Sequence, residues 1–353
     1  MLQGAGLEVE AIAFDRKYHK GRMPTCPVTL VGQIERGRYL TRVAKMLAAT
    51  PRIRRAIRAC DAIYASGADI AFICWLSGLG LSKSIVLEVG DIREVQTARG
   101  VRGIVARGLD RIVAWSSSCV IATAPGFIDD YYRNWLNKTP RSLIIENKLE
   151  ARPGREHQTP TVEGTPLVDR PLRIGYFGLL RCPRSWQVLE ELAATRPNEI
   201  EVVIAGIPSN PEDLPERAHR HANIVYQGKY KSPDDLSSLY GSVDLVWACY
   251  PFPGPNDHNW KWAKTNRFYE SCYYQRPMIC LEGSGDAAEI ERYDIGMLIK
   301  NDHVERVVES IADISLTDLA TWQENLRNMP PEAYVYTTES DQLKSMILGL
   351  DRP

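Results

Sequence analysis

The stretch WKWAKTNRFYESCYYQRPMI places basic and carboxylate side chains at a spacing suited to a phosphorylated ligand. A helix that begins at Thr265 or Asn266 would direct unpaired backbone N–H groups and the positive end of its dipole at an anion. Lys264 and Arg267 add positive charge at the same place, which indicates a diphosphate site. Glu270 lies one helical turn further on, where its carboxylate can accept hydrogen bonds from two neighbouring hydroxyls, such as those of a ribose. An ordinary capped helix with an Arg267–Glu270 ion pair is the alternative.

The elements that must position these residues alternate along the chain. Short β-branched or apolar runs bounded by turn residues predict strands at residues 7–14, 61–65, 84–89, 119–123, 142–145, 172–177, 200–205, 223–226, 243–249, 278–281 and 296–299. Stretches of 10 to 20 residues with helical patterning lie between most of them, and residues 185–194, 233–240, 266–274 and 304–311 are examples of such patterning. The alternation predicts an α/β fold with two Rossmann-like domains that face a cleft. Ligands of such sheets bind at the carboxyl ends of the strands, so the functional residues should lie there.

The composition places the domain boundary near the middle of the chain. Residues 151–171 are rich in Pro, Gly, Thr and charge and have no apolar period, which is typical of a linker. We therefore expect one Rossmann-like domain over residues 1–150 and a second over residues 172–330. Residues 331–353 are expected to form a C-terminal helix that packs back on the first domain.

The composition also excludes several classes of protein. A hydrophobic share of 44% and a charged share of 25% are those of a globular chain, not of a disordered or collagen-like one. The eight cysteines stand singly, which is typical of a reduced, cytoplasmic protein without a zinc site. Residues 70–81, the longest apolar stretch, are too few to span a bilayer, and the first ten residues lack the pattern of a signal peptide.

The net charge of −1 hides an asymmetry between the two halves of the chain. Residues 1–150 hold 22 Lys and Arg against 14 Asp and Glu, and residues 151–353 hold 21 against 30. The positive charge is densest in a stretch that predicts two short amphipathic helices separated by Pro51. The arginines of the second helix are Arg52, Arg54, Arg55 and Arg58. This pattern indicates a surface for anionic lipid headgroups, with a solvated helical face as the alternative, and no nucleic-acid-binding module accompanies it.

Four stretches in the second half resemble a known family: YQGKY, LSSLYGSVDLVW, NRFYESCYYQRPMI and GSGDAAEIERYDIG. Together they are similar to the C-terminal half of GT-B glycosyltransferases of the group 1, family 4-like type. In that family the corresponding glutamate holds the nucleotide ribose, and Glu270 with Pro277 falls on the family pattern. The resemblance covers nearly the whole C-terminal domain and, more weakly, the N-terminal domain.

The resemblance implies further donor-binding residues outside the first site. The stretch RIGYFGLLRCPRSW matches a strand end at which the family places a glycine and a basic residue on the donor phosphates. The residues implied there are Gly178, Arg181 and Arg184. The loop that carries Lys229 is where the family reads the nucleotide, and Tyr250 is the implied stacking partner of the base.

The chain departs from the retaining members of the family at two positions. Those members carry a second glutamate eight positions before the ribose-binding one, and this chain has Trp262 there. In the stretch SIVLEVGDIREV, Gly90 stands where retaining relatives often have a histidine, which leaves Asp91 and Glu88 at the strand end. Direct displacement with inversion needs one carboxylate to take the proton of the acceptor hydroxyl. Asp91 resembles the base of inverting enzymes of exopolysaccharide synthesis, with Glu88 in support, and an Asp91 that merely caps a turn is the alternative.

The stretch CVIATAPGFIDDYYRNWL indicates an acceptor groove in the first domain. Small residues at a strand end permit close approach of a sugar, and Tyr131 and Tyr132 would line the groove. Aromatic residues that simply pack a helix are the alternative. Members of the family usually open with a strand and a glycine-containing loop, whereas this chain begins MLQGAGLEVEAIAF, so the first strand is expected to be missing.

The resemblance and these residues imply an enzyme that transfers a hexose from a nucleotide sugar, expected to be UDP-linked, to a polyprenyl-linked oligosaccharide. The expected process is exopolysaccharide biosynthesis of the succinoglycan type, on the inner face of the cytoplasmic membrane. We expect the reaction to invert the anomeric centre and to need no metal or other cofactor. Two alternatives stay open: a catalytically silent partner subunit with the same fold, and a nucleotide-sugar epimerase.

Overall fold

The computed structural model describes residues 1–16, 24–34, 39–150, 170–254 and 257–349. In it the chain folds into two compact units. The first unit joins Met1–Glu146 to Thr337–Pro353, and the second unit is Asn147–Tyr336. Most of the predicted linker, residues 151–169, lies outside the described residues.

The first unit contains a four-stranded parallel sheet and a separate parallel pair of strands. The pair consists of β1 (Ala11–Arg16) and β2 (Val28–Ile34), of which β2 was not predicted. The sheet consists, in spatial order, of β3 (Ala62–Ser66), β4 (Ser84–Val89), β5 (Cys119–Ala122) and β6 (Ser142–Ile144). Strands that are neighbours in this sheet are also consecutive along the chain. Right-handed crossovers therefore place the helices between them on one face of the sheet.

Helices connect these strands. They are α1 (Tyr39–Ala59), α2 (Ala68–Ser77), α3 (Glu94–Thr97) and α4 (Val101–Ser116), and a π-helical segment covers Phe127–Trp135. Helix α2 contacts both α1 and α4.

Helix α1 shows that one prediction was wrong. The basic stretch forms a single helix of 21 residues that contains Pro51, not two short helices. A proline inside a helix removes one backbone donor and crowds the preceding turn. Pro51 lies on the exposed side, whereas Met46, Ala49 and Ile53 are buried on the other side. Packing of that apolar face carries the helix past the proline.

One of the four arginines predicted for the α1 surface makes a structural contact, and the other three are exposed. The Nη1 atom of Arg54 donates to the carbonyl oxygens of Ser77 at 2.7 Å and Leu79 at 2.9 Å. Arg54 therefore satisfies carbonyl groups at the C-terminal end of α2. The other three arginines predicted for this surface are exposed, namely Arg52, Arg55 and Arg58.

The second unit contains a six-stranded parallel sheet. Its strands are β7 (Leu172–Leu180), β8 (Ile200–Pro208), β9 (Ile224–Tyr226), β10 (Leu245–Trp247), β11 (Met278–Leu281) and β12 (Gly296–Ile299). The spatial order is β12-β11-β10-β7-β8-β9, so the order reverses between β7 and β10. Such a reversal is where open α/β sheets bind their ligands.

Eight helices of the second unit are described: α5 (Pro183–Thr195), α6 (Leu214–Ala218), α7 (Leu236–Gly241), α8 (Asn259–Trp262), α9 (Asn266–Tyr273), α10 (Ala287–Tyr293), α11 (Val304–Ala312) and α12 (Leu316–Asn328). A 3-10 turn follows at Pro331–Ala333, and α13 (Glu339–Leu348) lies in the part of the chain that groups with the first unit.

The core of the second unit lies on both faces of its sheet. Val202 and Ile204 of β8 belong to one buried cluster, and Val203 and Ala205 belong to the other. Alternate residues of a strand point to opposite faces, so a strand that is apolar throughout must be covered on both sides. The predicted α/β architecture with parallel sheets is therefore confirmed. In the described ranges, no helix is long and apolar enough to cross a membrane.

Candidate donor-binding site

Three neighbouring strands of the second unit each have, near their carboxyl end, a glycine with a left-handed φ angle. Gly178 has φ +109°, Gly206 has φ +144° and Gly228 has φ +82°, near the carboxyl ends of β7, β8 and β9. The Gly206 amide donates to the carbonyl oxygen of Gly228 at 2.8 Å. A Cβ atom on Gly206 would lie 1.8 Å from the carbonyl oxygen of Gly178, so only glycine fits there. We call these three residues the glycine floor.

Arg267 lies against this floor, in the first turn of α9. Its Nη1 donates to the carbonyl oxygen of Phe177 at 2.9 Å, and its Nη2 donates to that of Cys249 at 2.7 Å. The guanidinium also lies over the ring of Tyr176, 5.7 Å from its centroid. Its Nε is buried and has no hydrogen-bond partner in the part of the chain that the structure describes. Arg267 therefore fixes α9 to the ends of two strands and keeps a positive charge at the glycine floor.

Glu270 lies one helical turn further along α9 and is almost fully buried. The hydroxyl of Tyr240 donates to its Oε2 at 2.6 Å. Burial raises the pKa of Glu270, while the Tyr240 hydrogen bond and the charge of Arg267 oppose that rise. The predicted alternative, an Arg267–Glu270 ion pair, is absent from the ion pairs found among the described residues.

Tyr230 adds a second hydroxyl to the surroundings of Glu270. Burial and the nearby charge of Glu270 raise the pKa of Tyr230 to about 12. A Cβ atom on Gly178 would lie 3.9 Å from both the Tyr230 hydroxyl and the Nη1 of Arg267. The floor, the cation and the carboxylate are thus neighbours in one place, with Tyr230 beside them.

The start of α9 is held by its own N-cap residue and by a carboxylate distant in sequence. The Oγ1 of Thr265 accepts from the amide of Phe268 at 3.1 Å. The amide of Thr265 donates to Oδ1 and Oδ2 of Asp286, at 3.0 and 3.3 Å. Asp286 is buried, and its burial raises its pKa to about 7. A Cβ atom on Gly285 would lie 2.3 Å from the carbonyl oxygen of Ala263, so this loop packs directly against the residues before α9.

The two remaining predicted residues of this segment differ in their surroundings. The Nζ of Lys264 forms an ion pair with Glu289 at 3.4 Å and lies 5.4 Å from the ring centroid of Phe268. Asn266 is the first residue of α9 and is exposed. The positive charge of Lys264 is therefore shared with a carboxylate, whereas Asn266 is open to solvent.

Two other predicted donor-binding residues, Arg181 and Tyr250, contact each other. The Nη2 of Arg181 donates to the Tyr250 hydroxyl at 3.2 Å, and the guanidinium lies 5.6 Å from the ring centroid. The amide group of Asn259 also donates to the Tyr250 hydroxyl, at 2.6 Å. Arg184 instead donates to the carbonyl oxygen of Asp302. Lys229 is exposed in the loop after β9.

The carboxylates predicted for catalysis lie at the end of β4 in the first unit. Glu88 pairs in register with Ser66 of β3, accepts a hydrogen bond from its side chain, and has a pKa raised by burial. Asp91 lies two residues beyond the strand and is exposed. The Oγ1 of Thr123 donates to the carbonyl oxygen of Gly90 at 3.2 Å, which fixes the turn before Asp91.

Gln96 and Ala98, which follow Asp91 in the chain, form hydrogen bonds with residues of helix α4. The Nε2 of Gln96, in α3, donates to Oδ2 of Asp110 at 2.7 Å. The Nη1 of Arg107 donates to the carbonyl oxygens of Gln96 at 3.0 Å and Ala98 at 2.9 Å. A Cβ atom on Gly103 would lie 2.0 Å from the carbonyl oxygen of Ala98, so this glycine permits the close approach. Helix α4 therefore determines the path of the chain after Asp91.

The tyrosines predicted to line an acceptor groove are inside the first unit. Tyr131 and Tyr132 are 0% and 1% exposed, and their rings meet edge to face with centroids 5.4 Å apart. The hydroxyl of Tyr131 donates to Asp110. Buried rings cannot line an open groove, so the structure favours the packing alternative for both residues.

The structure thus brings Gly178, Arg267 and Glu270 together and places Arg181 with Tyr250. Four further members of this site were not predicted from the sequence: Gly206, Tyr230, Tyr240 and Asp286. The last three lie inside the stretches that carry the family resemblance, so the signal was present without an assigned role. In the described part of the chain, no group of three or more His, Cys, Asp or Glu side chains could hold a metal ion.

Comparison with solved structures defines the class of fold. Sucrose-phosphate synthase (tll1590) from Thermosynechococcus elongatus aligns with a TM-score of 0.73 and 14% identity, over 99% of this chain and 90% of that chain. Anabaena Alr3699/HepE in complex with UDP-glucose aligns with a TM-score of 0.66 and 12% identity, over 96% of this chain and 99% of that chain. The chain therefore has the GT-B fold, with two Rossmann-like domains.

Comparison of sequences gives a particular relative. The succinoglycan biosynthesis protein ExoL of Rhizobium meliloti (strain 1021) is 25% identical over 332 residues, which cover 90% of this chain and 82% of the relative. No family model matches the chain. Together with the fold, this similarity confirms the resemblance to GT-B glycosyltransferases of exopolysaccharide biosynthesis.

Replacing Gly206 by alanine should destabilise the second unit strongly. The added methyl group would overlap the Gly178 carbonyl oxygen, and alanine is strained at a φ of +144°. We expect the free energy of unfolding in urea to fall by more than about 2 kcal/mol. Gly241→Ala is the matched control, because an added Cβ there meets nothing within 4 Å. Equal stability of the two variants would contradict the close contact at the floor.

Replacing Asp286 by asparagine should make the protein less sensitive to pH. The folded-state pKa of Asp286, about 7, lies above the ordinary value of 3.8. Stability associated with the protonated carboxyl is therefore fully present below about pH 4 and is lost as the pH rises through about 7. The Asp286→Asn variant lacks this loss, so its stability relative to wild type should increase between pH 4 and pH 8. Urea unfolding at a series of pH values measures the difference. Asp234→Asn, at an exposed position, should show none.

Proposed function

We propose that the chain is a glycosyltransferase that transfers a hexose from a UDP-sugar to a lipid-linked oligosaccharide in exopolysaccharide biosynthesis. The observation that carries this proposal is the placement of Arg267 and Glu270 beside the glycine floor. The relative of Rhizobium meliloti is named for succinoglycan biosynthesis, and the Anabaena protein was solved with UDP-glucose. The Anabaena complex supports a UDP-sugar as donor, and the name of the Rhizobium relative supports a polysaccharide as the final product.

The donor would bind through its diphosphate and its ribose. Arg181, Arg267 and the backbone amide of Asn266 at the start of α9 would hold the diphosphate, whereas the Thr265 amide is bonded to Asp286. Glu270 would accept hydrogen bonds from the two ribose hydroxyls. Tyr240 supports this role, because its hydroxyl donates to Oε2 of Glu270 at 2.6 Å and so orients the carboxylate. The exposed loop with Lys229 is available to contact the base.

The transfer would proceed with inversion. Asp91 would take the proton of the acceptor hydroxyl as its oxygen forms a bond to the anomeric carbon, while the bond from that carbon to the diphosphate breaks on the opposite side. UDP would leave with its negative charge held by the arginines and the start of α9. Asp91 suits the role of base better than Glu88, because Asp91 is exposed beyond the strand end whereas Glu88 lies within the strand and accepts a hydrogen bond from Ser66.

We propose that these fixed positive charges make a metal ion unnecessary for departure of UDP. The acceptor would be carried on a polyprenyl lipid, and the protein would act as a peripheral protein on the cytoplasmic side of the membrane. The excess of basic residues in the first 150 positions supports contact with anionic lipid.

The donor site predicts a specific loss of ribose recognition when Glu270 is replaced. Glu270→Gln keeps the size of the side chain but removes the charge that two ribose hydroxyls would share. We expect UDP to bind about 10- to 100-fold more weakly, as for loss of hydrogen bonds to a charged group. Calorimetric titration should also show that 2′-deoxy-UDP binds more weakly than UDP to the wild type, with a smaller difference in the variant.

The control for Glu270 is Glu309→Gln, at an exposed position of α11, which should bind UDP like the wild type. Equal binding of UDP by Glu270→Gln and wild type would refute the ribose role. A folded wild type that binds ADP or GDP but not UDP would refute UDP as the donor nucleotide.

The mechanism predicts that Asp91→Asn binds the donor but does not transfer it. Loss of a general base typically costs 10²- to 10⁴-fold in rate, so transfer from UDP-glucose to a polyprenyl diphosphate-linked oligosaccharide should fall by about that factor. UDP binding by calorimetry should be unchanged. The coupling constant of the new anomeric proton, measured by NMR, should report a β linkage from the α-linked donor.

Other outcomes of the same assay favour the alternatives. A product that retains the α configuration would contradict Asp91 as the base of a direct displacement. Conversion of the donor to an isomer without acceptor would indicate an epimerase. Tight binding of UDP-sugars without turnover on any acceptor would indicate a catalytically silent subunit.

A further inference from the structure

Helix α4 exposes a row of large apolar side chains. The outer row consists of Val101, Ile104, Val105, Ile112 and Trp115, each between 43% and 77% exposed. At about 100° per residue these side chains lie on one side of the helix. Single exposed apolar residues are ordinary, but five on one helical face form a contiguous surface of the kind that marks an interaction site.

The opposite side of α4 faces inward and is polar where it meets the chain after Asp91. Gly103, Arg107 and Asp110 make or permit the close contacts with Gln96 and Ala98 described above. The usual arrangement, with apolar side chains inward and polar ones outward, is partly inverted in this helix. The outer row is therefore not part of the core of the first unit.

The charges around the outer row favour an anionic partner. Arg102 and Arg111 are exposed and lie on either side of the row by helical phase. Asp110, the only acidic residue of α4, is buried and hydrogen-bonded to Gln96. An apolar row with a tryptophan, between arginines and without exposed carboxylates, matches the pattern of helices that lie in a membrane interface. A two-fold contact with a second copy would instead bring the same arginines close to one another.

We propose that the outer face of α4 is the surface by which this protein docks on an anionic lipid bilayer. The inference rests on the proposed function in one respect, since a lipid-linked acceptor requires the enzyme to work at a membrane. The inner face of the same helix is hydrogen-bonded to residues 96–98, so docking would hold the chain after Asp91 about one helix diameter, about 10 Å, from the lipid surface. The acceptor sugar would then be presented to Asp91 by the bilayer itself.

This surface differs from the one predicted from the sequence. In α1, Arg54 is used to hold α2, and the exposed large apolar residues found there are Val43 and Leu47, against five in α4. Helix α1 would therefore add long-range attraction to the bilayer, whereas α4 would supply the apolar contact. Both helices contact α2.

Binding to sucrose-loaded vesicles, measured by sedimentation, tests the proposal without donor or acceptor. Wild type should bind vesicles of phosphatidylglycerol and phosphatidylcholine, and bind much less to vesicles of phosphatidylcholine alone. The triple variant Ile104→Ser, Val105→Ser, Trp115→Ser should lower the partition coefficient at least tenfold. The double variant Arg102→Gln, Arg111→Gln should lower it about fivefold per arginine at low salt.

The matched control removes three other exposed apolar side chains, with Leu30→Ser, Leu316→Ser and Leu348→Ser, and should bind like the wild type. The α1 triple variant Arg52→Gln, Arg55→Gln, Arg58→Gln should lose less binding than the α4 triple variant. Unchanged vesicle binding by the α4 triple variant would overturn the proposal. A wild-type dimer that dissociates in this variant, without any vesicle binding, would also overturn it in favour of a second copy.

Calorimetric titration of UDP separates this inference from the proposed function. All variants of α4 should bind UDP like the wild type, because the donor site lies in the other unit. They should also transfer sugar to a water-soluble, short-chain acceptor normally, but transfer poorly to one embedded in vesicles. Vesicle binding without UDP binding would refute only the proposed function, and UDP binding without vesicle binding would refute only the docking surface.

Discussion

The candidate site of the second unit depends on one half-buried cation, the guanidinium of Arg267. The guanidinium of Arg267 donates to carbonyl oxygens at the ends of two strands and lies over Tyr176. These partners compensate for the hydration that the half-buried guanidinium has lost. Because Arg267 belongs to the first turn of α9, the same contacts fix the start of the helix and, one turn later, the position of Glu270. The charge that would attract a diphosphate is therefore also the anchor that aligns its binding site.

The sequence was sufficient for the sheet of the second unit and for the start of α9. Runs such as LRIGYF and EVVIA are apolar on both faces, as buried parallel strands must be, and Thr265 is a recognisable N-cap residue. The partners of these elements could not be predicted in the same way. Asp286 lies 21 positions after Thr265 and Tyr240 lies 30 positions before Glu270, so only the tertiary fold brings them together.

In the first unit, β2 and α4 were not predicted, and the direction in which a helical face points is not available from the sequence alone. A helical apolar period shows that one face is apolar without showing whether that face points inward, and α4 has its large apolar residues outside. For α1 the local rule that proline ends a helix was overruled by burial of the opposite face. Tyr131 and Tyr132 were ambiguous for the same reason, since an aromatic pair suits both a groove and a core.

The glycine floor limits how this site could change during evolution. Its surface consists of main-chain atoms, and the contact between Gly206 and Gly178 leaves no room for a side chain. Substitution cannot give that part of the site new chemical groups. A change of donor would have to come from the rim, where the side chains of Lys229 and Asn266 are exposed. The scaffold would thus conserve diphosphate binding, while the residues that contact the sugar and the base could change under selection.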